Sequence, residues 1–201
     1  MKKIDVVLAL VTGEGVAWLF IWLIKNSPNI SLSVLNWLLP ILFPILAIFA
    51  LWVADMIGKK YLFVYQLAKF LLIGAFFAIF DLIILNILMK EFGISSKDSG
   101  LKYPLFVAIS FVIATVVKYV ADKYWAFEKS EKGQAGMEFL KFFLVTLVSG
   151  LIQVGVASAA FKLFSSSGMT DIVLANIGKI SGIAVASVFN FICYKFFVFK
   201  K

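Results

Sequence analysis

Six apolar stretches, at about residues 4–24, 34–57, 67–89, 104–127, 138–164 and 172–199, each reach or exceed the length of a membrane crossing. A helix rises about 1.5 Å per residue, so roughly 20 residues cover the hydrocarbon of a bilayer. The expected fold is therefore all-α, a polytopic membrane helical bundle with six transmembrane helices. Composition agrees: 63% of residues are hydrophobic and 15% are charged, where a soluble domain is about half apolar and a quarter charged. The mean hydropathy is +1.03.

The opening Met1 to Lys3 and the apolar run behind it resemble a secretion signal. Asp5 and Glu14 interrupt that run, and no small-residue cleavage site follows, so it reads as a retained first span. Glu14 sits near mid-depth, where an ionisable group costs roughly 2.5 to 3.5 kcal/mol on insertion scales. Two readings stay open for it: a proton or ligand partner, or a break in a short helix near the surface. Pro40 and Pro44, one turn apart in the second span, each remove a helix hydrogen bond and should kink it. The triplet Asn29-Ile30-Ser31 has the form of a glycosylation acceptor, but such triplets are common by chance. The chain has no His and one cysteine, Cys193, which excludes internal disulfides and most zinc or haem ligation. Cys193 lies among apolar residues and reads as a packing residue.

The net charge of +8 comes from 19 lysines, with no arginine. With the N-terminus cytoplasmic, the inner segments hold twelve of them: Lys2, Lys3, Lys59, Lys60, Lys69, Lys123, Lys129, Lys132, Lys141, Lys195, Lys200 and Lys201. The outer segments hold Lys25, Lys90, Lys97, Lys102 and Lys162. Short cytoplasmic loops carry the excess of basic residues, so both termini are expected to be cytoplasmic in a multi-pass protein of the cell (inner) membrane. The lysines lie between apolar runs and read as contacts with the membrane surface, not with nucleic acid.

A helical hairpin is written twice. Lys118, Tyr119, Asp122, Lys123, Tyr124, Trp125 and Phe127 return seventy-two residues on as Asn190, Phe191, Tyr194, Lys195, Phe196, Phe197 and Phe199. Upstream, Lys69-Phe70 matches Lys141-Phe142 and Asp81 matches Gln153. This divides the chain into a two-helix extension, 1–65, and a four-helix domain, 66–201, with repeats at about 66–129 and 138–201. Each repeat has two crossings, so both take the same orientation, related by an axis along the membrane normal.

Polar and small residues fall at informative positions. Gly178, Gly182 and Ala186 recur every four residues in the last span and allow close helix approach, with Ser149, Gly150, Gly155 and Ser158 of the fifth span as the facing surface. Lys118, Asp122 and Trp125 share one helix face, and the first two can neutralise each other. Lys179 and Asn190 share a face of the last span, with Lys179 toward its outer end. Asp81 and Gln153 fall near mid-membrane in the two copies, which suggests polar groups around a shared central cavity. Lys123 to Phe127 and Lys195 to Phe199 both read Lys-x-aromatic-x-Phe. Aromatic rings alone would make an anchoring belt, but an ammonium beside rings at headgroup depth also suits a lipid phosphate.

These features together resemble the GtrA-like family of small four-helix membrane proteins. The resemblance covers about residues 66 to 200. It rests on Lys69-Phe70-Leu71-Leu72-Ile73-Gly74 followed by Asp81, on Lys123-Tyr124-Trp125-Ala126-Phe127, and on Asn190-Phe191 with Lys195-Phe196-Phe197-Val198-Phe199. The family commonly carries Arg before the aromatic residue. Lysine here keeps the charge and loses the bidentate fork. The resemblance implies translocation of polyprenyl-phosphate-linked sugars for cell-surface polysaccharide or glycoprotein, working beside a membrane glycosyltransferase.

On that basis Lys123 and Lys195 are expected to attract the phosphate, and Asp81, Gln153, Asp122 and Asn190 to bond sugar hydroxyls. Trp125 and Phe197 would offer ring faces. The expected partners are the bilayer, the glycolipid, the glycosyltransferase and a second copy of the chain. Two other readings stay open: a platform that recruits or dimerises a glycosyltransferase without transporting anything, and a small proton-coupled exporter built on Glu14 or Asp81. No nucleophile with a base at hand and no metal-ligand cluster appears, so no enzyme and no cofactor is expected.

Overall fold

Lipid offers backbone groups no hydrogen-bond partners, so each apolar run closes its bonds within itself as a helix. The computed structural model describes residues 1–25, 35–93, 101–128 and 135–199. They form α1 (Lys3–Lys25), α2 (Leu35–Gly58), α3 (Leu62–Phe92), α4 (Lys102–Ala121), α5 (Ala135–Leu163) and α6 (Asp171–Cys193). Five-residue π-helical turns, Asp122–Ala126 and Tyr194–Val198, extend α4 and α6. Six described helices are long and apolar enough to cross a membrane. Large apolar side chains point outward along them: Leu151 is 74% exposed and Val116 67%. Such a surface is stable only against lipid, and the chain is a multi-pass membrane protein.

α1 is continuous through Glu14, which accepts a 2.7 Å hydrogen bond from Trp18 Nε1 one turn later. α2 likewise runs through both prolines. The Asn29 triplet lies outside the described residues.

The chain forms two compact units. The first comprises Met1–Phe80 with Lys118–Glu128, and the second Asp81–Val117 with Lys129–Lys201. Inside the first, α1 crosses α2 at Gly13, where a Cβ would lie 2.7 Å from Pro44 Cα. A glycine facing a proline thus lets two backbones touch, the close approach that replaces hydrophobic drive in lipid. Ala17, Ile21 and Leu39, with Phe20 and Phe43, form the apolar seam beside it.

Inside the second unit, α5 and α6 meet through small residues. A Cβ on Gly178 would lie 2.7 Å from Ala157 O, and one on Gly182 2.5 Å from Gln153 O. The expected α5–α6 contact therefore forms, but Gln153 and Ala157 of α5 face the α6 glycines in place of the anticipated Gly150 and Gly155. Gly150 faces the Phe111 ring on α4, and a Cβ on Gly155 would meet nothing within 4 Å. Tyr103 stacks on Phe161 at 4.4 Å and donates to Ala175 O at 2.8 Å. Leu85, Val107, Ala157 and Leu174 complete this core.

Candidate functional site

The close α5–α6 approach places a charged centre within the second unit. Lys179 on α6 is fully buried, and its ammonium has three donors to satisfy. It lies 2.9 Å from Asp81 Oδ1 and donates to Ser110 Oγ at 2.9 Å and to Val107 O at 3.1 Å. The other Asp81 oxygen accepts from Gln153 Nε2 at 2.9 Å. α3, α4, α5 and α6 each contribute, and the charges cancel. Asp81 and Gln153, expected at equivalent depth, thus bond each other, and Lys179 joins them. Asn190, further along α6, is also buried, and its Oδ1 has no hydrogen-bond partner among the described residues. Asn86 and Asn176 exchange amide hydrogen bonds of 2.8 and 3.2 Å nearby in the same unit.

The π turns carry the lysines singled out from sequence. Phe127 N bonds Asp122 O at 3.0 Å, and Phe199 N bonds Tyr194 O at 2.7 Å, the i to i+5 closure that widens a helix and re-aims its side chains. Lys123 is buried, with Nζ 5.9 Å from the Tyr119 ring and 5.7 Å from the Tyr124 ring. Lys195 is half-buried, 5.8 Å from the Phe196 ring. Both spacings fall within the range of cation–π attraction. Phe197 is 53% exposed, and Lys141 lies 5.4 Å over its ring. Asp122 is fully buried and takes Lys118 Nζ at 2.5 Å, so the one-turn ion pair read from spacing forms. Lys118 also lies 4.3 Å above the Phe70 ring.

Trp125 has another partner. Its indole N–H donates to Asp5 Oδ1 at 3.0 Å, and Tyr65 O–H donates to Asp5 Oδ2 at 2.8 Å. The Lys69 ammonium lies 2.8 Å from Asp5 and 2.7 Å from Glu128, and Glu128 also takes Lys2 Nζ at 2.7 Å. Asp5 and Lys69 are each 1% exposed. Burial pushes the Glu128 carboxyl up, but hydrogen bonds and charge from Lys2 and Lys69 outweigh it and hold the group below its ordinary value. The hydrogen bond to Glu128, helped by the opposite charge, raises Lys2. Sequence reasoning missed this cluster, which joins positions fifty-nine and more residues apart. The available signal was that Asp5 and Glu128 fall in the segments assigned to the lysine-rich face, where the count weighed only cations.

No group of three or more His, Cys, Asp or Glu among the described residues is arranged to hold a metal ion. A family model described as the GtrA/DPMS transmembrane domain matches residues 69–199. Neither the curated proteins nor the solved structures contain a significant match.

Proposed function

This chain belongs to the GtrA/DPMS transmembrane-domain family, whose generally non-catalytic members are implicated in handling polyprenyl-linked sugars, and from that premise we propose that it is a flippase for a polyprenyl-phosphate sugar. The observation that carries the reading is the pair of π turns. Each ends a helix with a lysine among aromatic rings, Lys123 beside Tyr119 and Tyr124, and Lys195 beside Phe196. Ammonium groups there attract the lipid phosphate at the cytoplasmic leaflet, while Trp125 and Phe197 lie along the sugar or isoprenoid.

The two turns belong, in this proposal, to two copies of one hairpin within residues 66–201, residues 1–65 being an added pair of helices. Three hydrogen bonds support the duplication, because each joins positions seventy-two residues apart: Asp81 with Gln153, Tyr103 with Ala175, and Val107 with Lys179. Equivalent residues meet in this way where a twofold axis runs between copies, here along the membrane normal with both termini cytoplasmic. Asn190 offers its buried carbonyl to a sugar hydroxyl, and Asp81, Gln153 and Asp122 exchange their present partners for others as the headgroup crosses. A membrane glycosyltransferase supplies the glycolipid, and the substrate gradient or an ion drives it across.

The test is transport of a fluorescent prenyl-phosphate sugar in proteoliposomes. Lys123→Ala with Lys195→Ala is expected to abolish transport while far-UV circular dichroism stays unchanged. Full transport by that folded double variant removes the two lysines from the site.

A further inference from the structure

Four donors converge on the single carboxylate of Asp5. They are the Lys69 ammonium at 2.8 Å, the Tyr65 hydroxyl at 2.8 Å, the Trp125 indole at 3.0 Å and the Lys2 backbone N–H at 3.1 Å. Lys69 and Trp125 fall within the family match, whereas Asp5 belongs to α1, before it. An ammonium, an indole N–H, a phenol and a helix-end amide aimed at one point match what a phosphate monoester requires. The charges decide when such a ligand fits. Lys2 and Lys69 balance Asp5 and Glu128 while Asp5 is seated, and one positive charge is left uncompensated when it leaves.

The same unit holds a groove of about 260 Å³ lined by Gly13 and Val16 of α1, Phe43 and Ala47 of α2, and Leu72 and Ala75 of α3. At about 1.5 Å per residue, the groove starts roughly 10 Å along α1 from Asp5. Its walls are apolar, so what continues inward from the cradle is room for hydrocarbon.

We propose that Lys69, Tyr65, Trp125 and the Lys2 amide form a site for the phosphate of a prenyl-chain lipid, with its tail in the α1–α2–α3 groove, and that Asp5 is a built-in competitor for it. This rests on the reading of the ligand as a polyprenyl phosphate, but binding is read here without transport. Failure of flipping and failure of this site are therefore separate results. An internal competitor lowers apparent affinity by the fraction of molecules in which it is displaced, so its removal tightens binding.

The experiment is calorimetric titration of farnesyl phosphate, farnesol and inorganic phosphate into the full chain in detergent. Asp5→Asn and Asp5→Ala are expected to bind farnesyl phosphate about tenfold more tightly than the unaltered chain, Asp5→Glu to match it, and Asp5→Ala with Lys69→Ala to lose the gain. Farnesol binding should not respond to Asp5. An equal gain for inorganic phosphate overturns the lipid assignment. Unchanged affinity in Asp5→Asn, or a gain that survives Lys69→Ala, overturns the site. On the unaltered chain, saturating farnesyl phosphate should speed amide exchange in residues 2–8 about tenfold as Asp5 is displaced. Exchange that stays constant or slows overturns the competition, whether or not the variants fold.

Discussion

Replacing Lys179 with methionine keeps the length of the side chain and removes its charge. At 2.9 Å and an effective dielectric of about 20, the gross attraction to Asp81 is about 6 kcal/mol, most of it offset by the desolvation of both groups. The loss on substitution is governed by the carboxylate left behind. Asp81 is 4% exposed and, among the described residues, retains only the Gln153 amide, and stranding a buried charge in this way costs about 3–5 kcal/mol. Asp81→Asn strands the ammonium instead, at a similar cost. The double variant strands neither charge, and the Asn oxygen still accepts from Gln153; its remaining loss is the donor to Ser110 and Val107 O, about 1–3 kcal/mol. The two single losses therefore overshoot the double by at least about 2–3 kcal/mol. Unfolding of the purified chain in mixed micelles, followed by circular dichroism as the dodecyl sulfate fraction rises, measures all four corners of this cycle. Additivity within about 0.5 kcal/mol would refute the ion pair as the lock of this unit.

Gly178→Ala would drive a Cβ to 2.7 Å from Ala157 O and 2.8 Å from Tyr103 Oη. Backbone cannot yield there, so the same unfolding assay should show a loss of about 1–3 kcal/mol. Gly74→Ala and Gly155→Ala meet nothing within 4 Å and should be neutral or stabilise by up to about 1 kcal/mol. Glu128 is held below its ordinary value of 4.5 by Lys2 and Lys69. Its contribution is thus complete above that pH and lost as pH falls through the lowered folded value. Its side chain is 34% exposed, so the loss is about 1 kcal/mol or less after screening. Melting midpoints from pH 6 down should fall on the acid side in the unaltered chain and lose that component in Glu128→Gln. Lys2, raised above 10.5 by the same pair, contributes below that value and loses its contribution as pH climbs through the raised one, a second limb that Glu128→Gln also removes.

Features written in local spacing were readable from the chain. Runs of twenty apolar residues gave six helices, with ends displaced by a few residues where interfacial groups such as Tyr65 and Lys102 continue a helix. The Lys118–Asp122 pair is a one-turn relation, and Gly178 and Gly182 mark a seam by their four-residue interval, so both could be read from spacing alone. The partner of that seam was right at the level of the helix and not of the residue, because Gly150 turns to Phe111 and spacing does not say which neighbour a face meets.

The π turns left no trace in the pattern, since five residues are too few to shift a period of 3.6. Spacing along α6 places Lys179 on a helix face but does not name its partner. Lys179 is buried because Asp81, nearly a hundred residues earlier, compensates it. The Asp5 cluster was hidden for the same reason, with α1 supplying the acid, α3 the lysine and the first π turn the indole.

The most direct measurement is movement of a fluorescent polyprenyl-phosphate sugar across liposomes that contain only this protein, scored by the fraction that becomes accessible to a membrane-impermeant quencher. A flippase makes label placed in one leaflet accessible from the other at a rate that rises with the number of protein copies per vesicle and disappears with Lys123→Ala and Lys195→Ala. Accessibility equal to that of protein-free liposomes, from chain shown to be folded by circular dichroism, would contradict the account.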